Sequence, residues 1–424
     1  MPALRDPRPN VVLISVDTLR ADHLGCYGYA RNTSPRLDEL CRSAWVFANA
    51  VTPIPTTAPA HASILTGMHP SRHGLLTNGW KLEREALTVA EILAAQGYAT
   101  QAFVSVKHLA AKRGFAQGFQ GFNDELERRY LLPAAAATRR ALDWLDTTET
   151  PFFLWIHYWD PHAPYQPPEE ADLFGDPAYA GSLASFEDPP EGDVPAGLLA
   201  EDRARVVSLY DGDIRNTDAM IGRLLDRLEE RGWLDDSLVI VTADHGEVLD
   251  EKIASHRYGF DHGHFLFEGN LRVPLIVRLP HPAGARGIPA PVSTLDVAPT
   301  ILDVLGIPPP LAMDGRSLLG ELDPKRSLFV RRESKQLRRP LAFPELAVRA
   351  GRWKYVWDPD TATAELYDLE EDPGETANLV EARPETAARL HADLERWQET
   401  LRGVQPQEIP EEQREALKAL GYLD

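Results

Sequence analysis

The chain is poor in cysteine, in long apolar runs and in positive charge, and each shortage excludes something. Cys26 and Cys41 are its only cysteines. Two are too few for a disulfide framework, and their spacing matches no zinc or redox motif. Both are expected to be buried thiols, the usual state of free cysteine. The first apolar run, VVLISV at 11–16, follows the polar, proline-rich MPALRDPRPN. Six residues are too short for the core of a signal peptide or for a membrane span, so a cytoplasmic protein is expected. Lysine and arginine number 44 against 64 aspartates and glutamates, a formal charge of −20. Such a field repels nucleic acid and anionic membranes, so an anionic substrate needs local help from a cation. With 43% hydrophobic residues among 424, the chain is an ordinary globular one with material for a large core.

Apolar runs of strand length alternate with helical stretches, which predicts an α/β fold: a large, mostly parallel sheet sandwiched by helices. VVLISV (11–16) and SLVIVTA (237–243) are apolar at nearly every position, as strands buried on both faces are. Each runs straight into an acid, Asp17 and Asp244. YATQAFV (98–104), FFLWIHYW (152–159) and VPLIVRL (273–279) read as further strands. Thr88 is placed to cap VAEILAAQ, and an amphipathic stretch from about 199 to 231 closes at Gly232. Residues 160–198, rich in proline, glycine and acid, read as a surface excursion. Past about 325, LAVRA, RWKYVW and AELYDL are short strand-like runs followed by a helix from Glu385 to about Leu401. The expected division is a main α/β domain over 1–325 and, over 326–424, a small antiparallel sheet with one helix and a tail.

Ligands of open α/β sheets sit beyond the carboxyl ends of the strands. Asp17 and the pair Asp244-His245 stand there. An acid after a strand is often only a helix cap, but two such strand ends, one bringing an imidazole as well, point to a shared divalent metal. Carboxylate oxygen with imidazole nitrogen suits zinc or manganese, and calcium less clearly. In TTAPAHASILTG (56–67), Pro59 fits the first turn of a helix and Gly67 its end. Thr57 then lies at the helix N-terminus, where it either caps the helix or, next to a metal, becomes a nucleophile.

In order along most of the chain, VVLISVDTLRADHLGCYGY, TTAPAHASILTGMHPSRHG, WDPHAPY, TADHGE, LRVPLIV, STLDVAPTILDVLG and WKYVW…ELYDLEEDPGETANL resemble the sulfatase family of the alkaline phosphatase superfamily. The resemblance implies a metal-dependent hydrolase that cleaves sulfate or phosphate esters through a covalent enzyme intermediate. Carried over, Asp17, Asp244 and His245 stand as metal ligands and Thr57 stands at the nucleophile position, where it also touches the metal. His162 matches a histidine beside the ester, a proton donor or an anion contact.

Three departures from the family pattern bear on the reaction. The frame Cys-x-Pro-x-Arg, whose cysteine becomes formylglycine, reads Thr57-Ala58-Pro59-Ala60-His61, and neither Cys26 nor Cys41 has the proline and arginine at the required offsets. Thr18 replaces the second acid of an Asp-Asp pair. The Gly-Lys-Trp-His segment is replaced by Val104-Ser105-Val106-Lys107-His108, which leaves Lys107 or His108 as the anion contact. A threonine adduct must be released by attack on sulfur or phosphorus itself, which gives weight to phosphate and phosphonate esters and leaves a phosphoryl transferase open. One metal is expected. Asp213, Asp218, His256, Asp261, His262 and His264 are the residues available for a second, with His262 and His264 preferred as leaving-group or substrate contacts. Asn78 and His61 complete the expected substrate contacts. The substrate is a small-molecule, glycan or lipid ester. The rival reading is a binding protein that kept the fold and lost the chemistry.

Overall fold

The computed structural model describes residues 8–127, 131–187, 189, 194, 197–309, 313–333 and 345–401. Its main sheet is built from β1 (Asn10–Val16), β2 (Trp45–Val51), β3 (Ala99–Phe103), β4 (Gly121–Asn123), β5 (Phe152–Tyr158), β6 (Ser237–Ala243), β7 (Arg272–Val273), β8 (Leu275–Arg278) and β9 (Arg286–Ser293). The order is β4-β3-β5-β1-β6-β8-β2-β7, with β9 on β2. From β4 to β6 every pairing is parallel; β6 with β8 and β8 with β2 are antiparallel. The fold is therefore α/β with a mostly parallel sheet, as the alternating pattern predicts. β1, β5 and β6 lie at its centre and are buried along their whole length, because helices cover both faces and leave no polar side to alternate with.

The local signals act where the sequence places them. Thr88 and Glu91 form a reciprocal capping box at the helix Val89–Ala95. The amphipathic stretch is one helix, Ala200–Glu230, and Gly232 beyond it takes the left-handed conformation, φ 63°. VPLIVRL is not one strand: Pro274, which has no N–H to give a ladder, divides it into β7 and β8, both paired to β2. β2 and β9 escape the periodicity argument. β9 contains Pro289 and Pro291 and tolerates them at the margin of the sheet, where one side of the ladder needs no donor. Cys41 is buried, whereas Cys26 is only half-buried; both are free thiols. No helix among the described residues is long and apolar enough to cross a membrane.

The second sheet is antiparallel, in the order β10 (Leu328–Arg332), β11 (Glu345–Ala350), β12 (Trp353–Asp358) and β13 (Thr363–Asp368). The helix Pro384–Leu401 packs on it through Ala387, Leu390 and Leu394. Residues 402–424 of the expected tail lie outside the described residues.

The segment STLDVAPT explains how the two parts join. Asp296 is fully buried. It accepts hydrogen bonds from the backbone N–H of Ser293 (2.8 Å) and Arg316 (2.7 Å) and a two-pronged pair from Arg326 at 2.6 and 2.9 Å. It thus ties the end of β9 to the segment that enters β10. Removing one partner of a buried, fully bonded pair strands the other. Asp296→Ala is expected to lower unfolding free energy by about 3–5 kcal/mol, measured by denaturant titration; a loss within experimental error would show that the clamp is dispensable.

Candidate active site

The centre of the site follows from strand register. Val16 pairs with Ala243 across the parallel β1/β6 ladder, so the next residues, Asp17 and Asp244, leave the sheet side by side, with His245 following. Thr18 turns the chain away in the left-handed region, φ 55°, a conformation uncommon for a β-branched residue. Its carbonyl is held by the Tyr210 hydroxyl at 2.8 Å. Asp17, Asp244 and His245 are all buried, and one ligand atom from each lies within 4.8 Å of the others. Among the described residues they form the only such group of histidine, cysteine and acid side chains.

Two buried carboxyl groups this close repel when both are charged, and burial away from bulk solvent leaves that repulsion poorly screened. Burial and the neighbouring Asp17 push Asp244 well above the usual carboxylate range. Asp244 Oδ1 accepts the His245 N–H at 2.8 Å, but its buried Oδ2 accepts no hydrogen bond among the described residues. The Nδ1 of His245 meets the Gly246 carbonyl at 3.0 Å. That contact requires a proton on Nδ1, so the lone pair sits on Nε2, the nitrogen 3.4 Å from Asp244 Oδ2 and 3.8 Å from Asp17 Oδ1. An imidazole lone pair converging with two carboxylates is a donor set suited to a divalent cation.

Thr57 is the first residue of the helix Thr57–Thr66. Its hydroxyl lies 3.4 Å from His245 Nε2, and the residue as a whole is buried, 3% exposed. The helix ends at Gly67 with φ 67°, as expected for that residue. Asn78 accepts the Ala58 N–H at 2.8 Å through Oδ1, capping the first turn of the helix from outside.

Beneath the carboxylates lie two fully buried imidazoles, His61 and His157, packed edge to face with centroids 4.9 Å apart. The Nδ1 of His61 meets the Thr57 carbonyl at 2.8 Å and therefore carries the proton, directed also at Asp244 Oδ2 3.6 Å away. Its Nε2 accepts from the Ser15 hydroxyl, which in turn accepts the Trp155 indole N–H. His157 Nδ1 accepts the Ser105 N–H, so its Nε2–H faces Asp17 Oδ2 at 3.6 Å. Burial, with His157 close by, holds His61 well below the ordinary histidine value, and burial takes His157 down to about 3. Both rings are neutral dipoles under the acids. His61, expected as a substrate contact, has both nitrogens engaged with protein. His157 is a residue the sequence reading passed over.

On the other side, four rings step outward from the centre. His262 stacks on His245 at 4.4 Å, His162 meets His262 edge-on at 4.9 Å, and Trp159 stacks on His162 at 3.8 Å. His245 is fully buried and His162 half-buried, so the series runs from the acids to the surface. Glu247, itself buried, is 3.2 Å from His262 Nδ1.

The remaining expected residues divide. His264 is buried and paired with Asp261 at 3.3 Å. His108 lies against the Asn78 carbonyl at 3.2 Å, whereas Lys107 is exposed. The six residues considered for a second metal are not drawn together. Asp213 accepts the Gln166 N–H, and Asp218 accepts those of Arg36 and Leu37. Both acids belong to the helix Ala200–Glu230 and serve neighbouring backbone, and His256 pairs with Ser255.

Residues 9–307 match the sulfatase family, and residues 255–400 match the family described as N-sulphoglucosamine sulphohydrolase, C-terminal. Arylsulfatase K of Mus musculus is 25% identical, over 91% of this chain and 78% of the mouse protein. The choline-sulfatase of Rhizobium meliloti is 26% identical, over 88% of this chain and 83% of its own. Among solved structures, the phosphonate monoester hydrolase of Agrobacterium radiobacter superposes with a TM-score of 0.75 at 23% identity, covering 93% of this chain and 95% of that one. The sheet order, the strand-end acids and the extent of the match lead to one conclusion: the chain belongs to the sulfatase family.

Proposed function

We propose that the chain hydrolyses sulfate, phosphate or phosphonate esters through a covalent intermediate on Thr57, with one divalent cation held by Asp17, Thr57, Asp244 and His245. The observation that carries the reading is the Thr57 hydroxyl at a helix N-terminus, 3.4 Å from the His245 nitrogen that bears the lone pair. The donor set suits manganese or zinc, with calcium a poorer match to the imidazole. Bound there, the ion would supply positive charge that acidifies a hydroxyl and polarises an ester oxygen. The relatives named arylsulfatase and choline-sulfatase support an ester hydrolase acting on a small-molecule or glycan ester.

In this mechanism the acidified Thr57 hydroxyl gives up its proton to solvent, and its oxygen bonds to sulfur or phosphorus as the bond from that atom to the leaving alcohol oxygen breaks. His162 or His262 gives the departing oxygen a proton. Glu247 beside Nδ1 of His262 fixes that ring, so its Nε2 is the nitrogen that serves the leaving group. The Asn78 amide and the helix N-terminus face the anion, joined at the rim by Lys107 or His108. His61 and His157 hold the acids in place from below.

The second half-reaction separates this chain from formylglycine chemistry. An aldehyde hydrate has two hydroxyls on one carbon and can expel sulfate by breaking a carbon–oxygen bond. Threonine has one, so water must attack sulfur or phosphorus and displace the Thr57 oxygen. Phosphoryl groups undergo such in-line displacement readily when the charge on their equatorial oxygens is met by cations and N–H donors, which favours phosphorus esters.

Thr57→Ala is expected to lower kcat by about a thousandfold or more on whichever of aryl sulfate, aryl phosphate, phosphodiester and phosphonate monoester is the best substrate, while Thr57→Ser retains measurable turnover. Undiminished turnover in the alanine variant would remove Thr57 from the reaction.

The raised Asp244 makes a second prediction. A carboxyl whose folded value is raised favours the folded state below its unfolded value, near pH 4, and loses that contribution as pH rises through the folded value. Metal-free protein is expected to lose stability as pH rises toward neutrality, and manganese or zinc at 100 times its Kd to restore about 2.7 kcal/mol. Asp244→Asn is expected to melt higher than the metal-free parent at pH 7 and to respond far less to metal. A parent whose melting ignores all three ions would contradict the cation site.

A further inference from the structure

His262 rides on a long excursion of the chain. After β6 ends at Ala243 the backbone rejoins the sheet at Arg272, and between them stand the four-residue helices Ile253–His256 and Glu268–Leu271 and a bridge from Val248 to Asp261. Helices this short are marginal on their own, so contacts from outside set where the excursion lies. Arg20 holds its beginning, donating to the Glu247 carbonyl at 3.0 Å and to the Glu251 carboxylate at 2.5 Å. Phe260 packs into the main core.

The charged ties of the rest converge on one residue of the C-terminal part. Glu375 follows β13 in the chain, and its side chain is 2% exposed. Its carbonyl and that of Gly374 each accept from the Lys252 ammonium at 2.7 Å. Its carboxylate accepts the Glu268 N–H at 2.8 Å through Oε2 and the Lys354 ammonium at 2.5 Å through Oε1. Lys252 also lies 4.2 Å from the centre of the Phe267 ring, a cation–π contact, and Arg349 of β11 reaches the Glu268 carboxylate at 3.2 Å. Lys252 and Glu268, which bracket His262 in sequence, are therefore fastened to the same point, one through its backbone and the other through its side chain. Glu375 itself has φ 52°, a left-handed conformation that costs a non-glycine residue energy and persists where the surroundings over-determine it.

We propose that Glu375 is a positioning residue for the reaction: it holds the His262 ring within reach of the departing oxygen, so that the C-terminal sheet takes part in protonating the leaving group. The inference rests on the ester-hydrolase reading of the site and takes His262 as the proton donor. Such a donor works only when its nitrogen is within hydrogen-bond distance of the oxygen it serves, and a displacement of about 1 Å is costly. Removing the carboxylate at 375 frees the Glu268 N–H and leaves the buried Lys354 ammonium short of an anion, which loosens the excursion on the far side of His262. Asp17 and Asp244, at the ends of β1 and β6, lie outside this network.

The test is a double-mutant cycle on two esters that carry the same transferred group. One has a 4-nitrophenyl leaving group, which departs without a proton; the other has an alkyl leaving group, which needs one. Glu375→Ala is expected to lower kcat on the alkyl ester by about tenfold or more, and on the aryl ester by several times less. His262→Ala is expected to show the same split, and adding Glu375→Ala to it to change alkyl-ester turnover by no more than about twofold. Glu375→Gln keeps an acceptor for the Glu268 N–H; combined with Lys354→Met, which removes the stranded charge, it is expected to recover most of the loss. Equal losses on both esters, or losses that add in the double variant, would make Glu375 a residue of general stability and overturn the proposal. Amide hydrogen exchange reads the same fastening without turnover: Glu375→Ala is expected to speed exchange across residues 252–268 by about tenfold or more while β1 and β6 stay protected. Unchanged exchange there overturns the proposal, whereas a parent chain that turns over neither ester defeats the hydrolase reading instead.

Discussion

Asp17 and Asp244 emerge from neighbouring parallel strands into the same buried site, and the repulsion between them is the constraint around which the site is arranged. The strands cannot move the acids apart, because β1 is hydrogen-bonded to β5 on one side and β6 on the other and all three are buried. Dipoles surround the charge: the N–H groups of His245 and Thr18 on Asp244, and the rings of His61 and His157 at 3.6 Å. Dipoles soften such a field and a cation removes it. A protein that keeps this arrangement in its core carries an instability that binding a metal would relieve. The same fixed strand ends put Thr57 at the correct side of the pocket, since its helix begins against His245.

The division of labour among the histidines follows from depth. His61 and His157 are sealed under the acids, neutral and engaged on both sides by Ser15, Thr57, Ser105 and the carboxylates. His262 and His162 continue outward from His245 toward water. Imidazoles of one chemical type thus differ in depth and partners in the way that the proposed roles of inner dipole, ligand and outer acid require. The C-terminal sheet reaches this wall through its own buried charges. Lys354 is paired with Glu375 at 2.5 Å, and Glu375 accepts the backbone N–H of Glu268, just beyond the His262 loop.

The parts of the site that lie next to buried strands were legible in the sequence. An unbroken apolar run that ends in an acid marks a strand and a candidate strand-end ligand at once, which is why the pairing of Asp17 with Asp244 could be anticipated, and Pro59 and Gly67 bracket the helix that Thr57 opens. His157 could not be found that way: inside FFLWIHYW it reads as one more buried strand position, and its partners, Asp17 and Ser105, come from distant parts of the chain. Asp213 and Asp218 misled in the opposite sense. Acids on a long amphipathic helix near a metal motif look like ligands, but hydrogen bonding to the backbone of neighbouring elements engages them. β2 and β9 were hidden because Asn49 and two prolines interrupt their periodicity, and pairing makes them strands: β9 with β2, and β2 with β7, β8 and β9.

The most direct test of the account is a crystal of the chain soaked with zinc and measured for anomalous scattering at the metal edge. The account predicts one strong peak with ligand distances of about 2.0–2.2 Å to oxygens of Asp17 and Asp244, to Nε2 of His245 and to the Thr57 hydroxyl. A peak elsewhere, or an ion bound by the acids with Thr57 turned away from it, would contradict it.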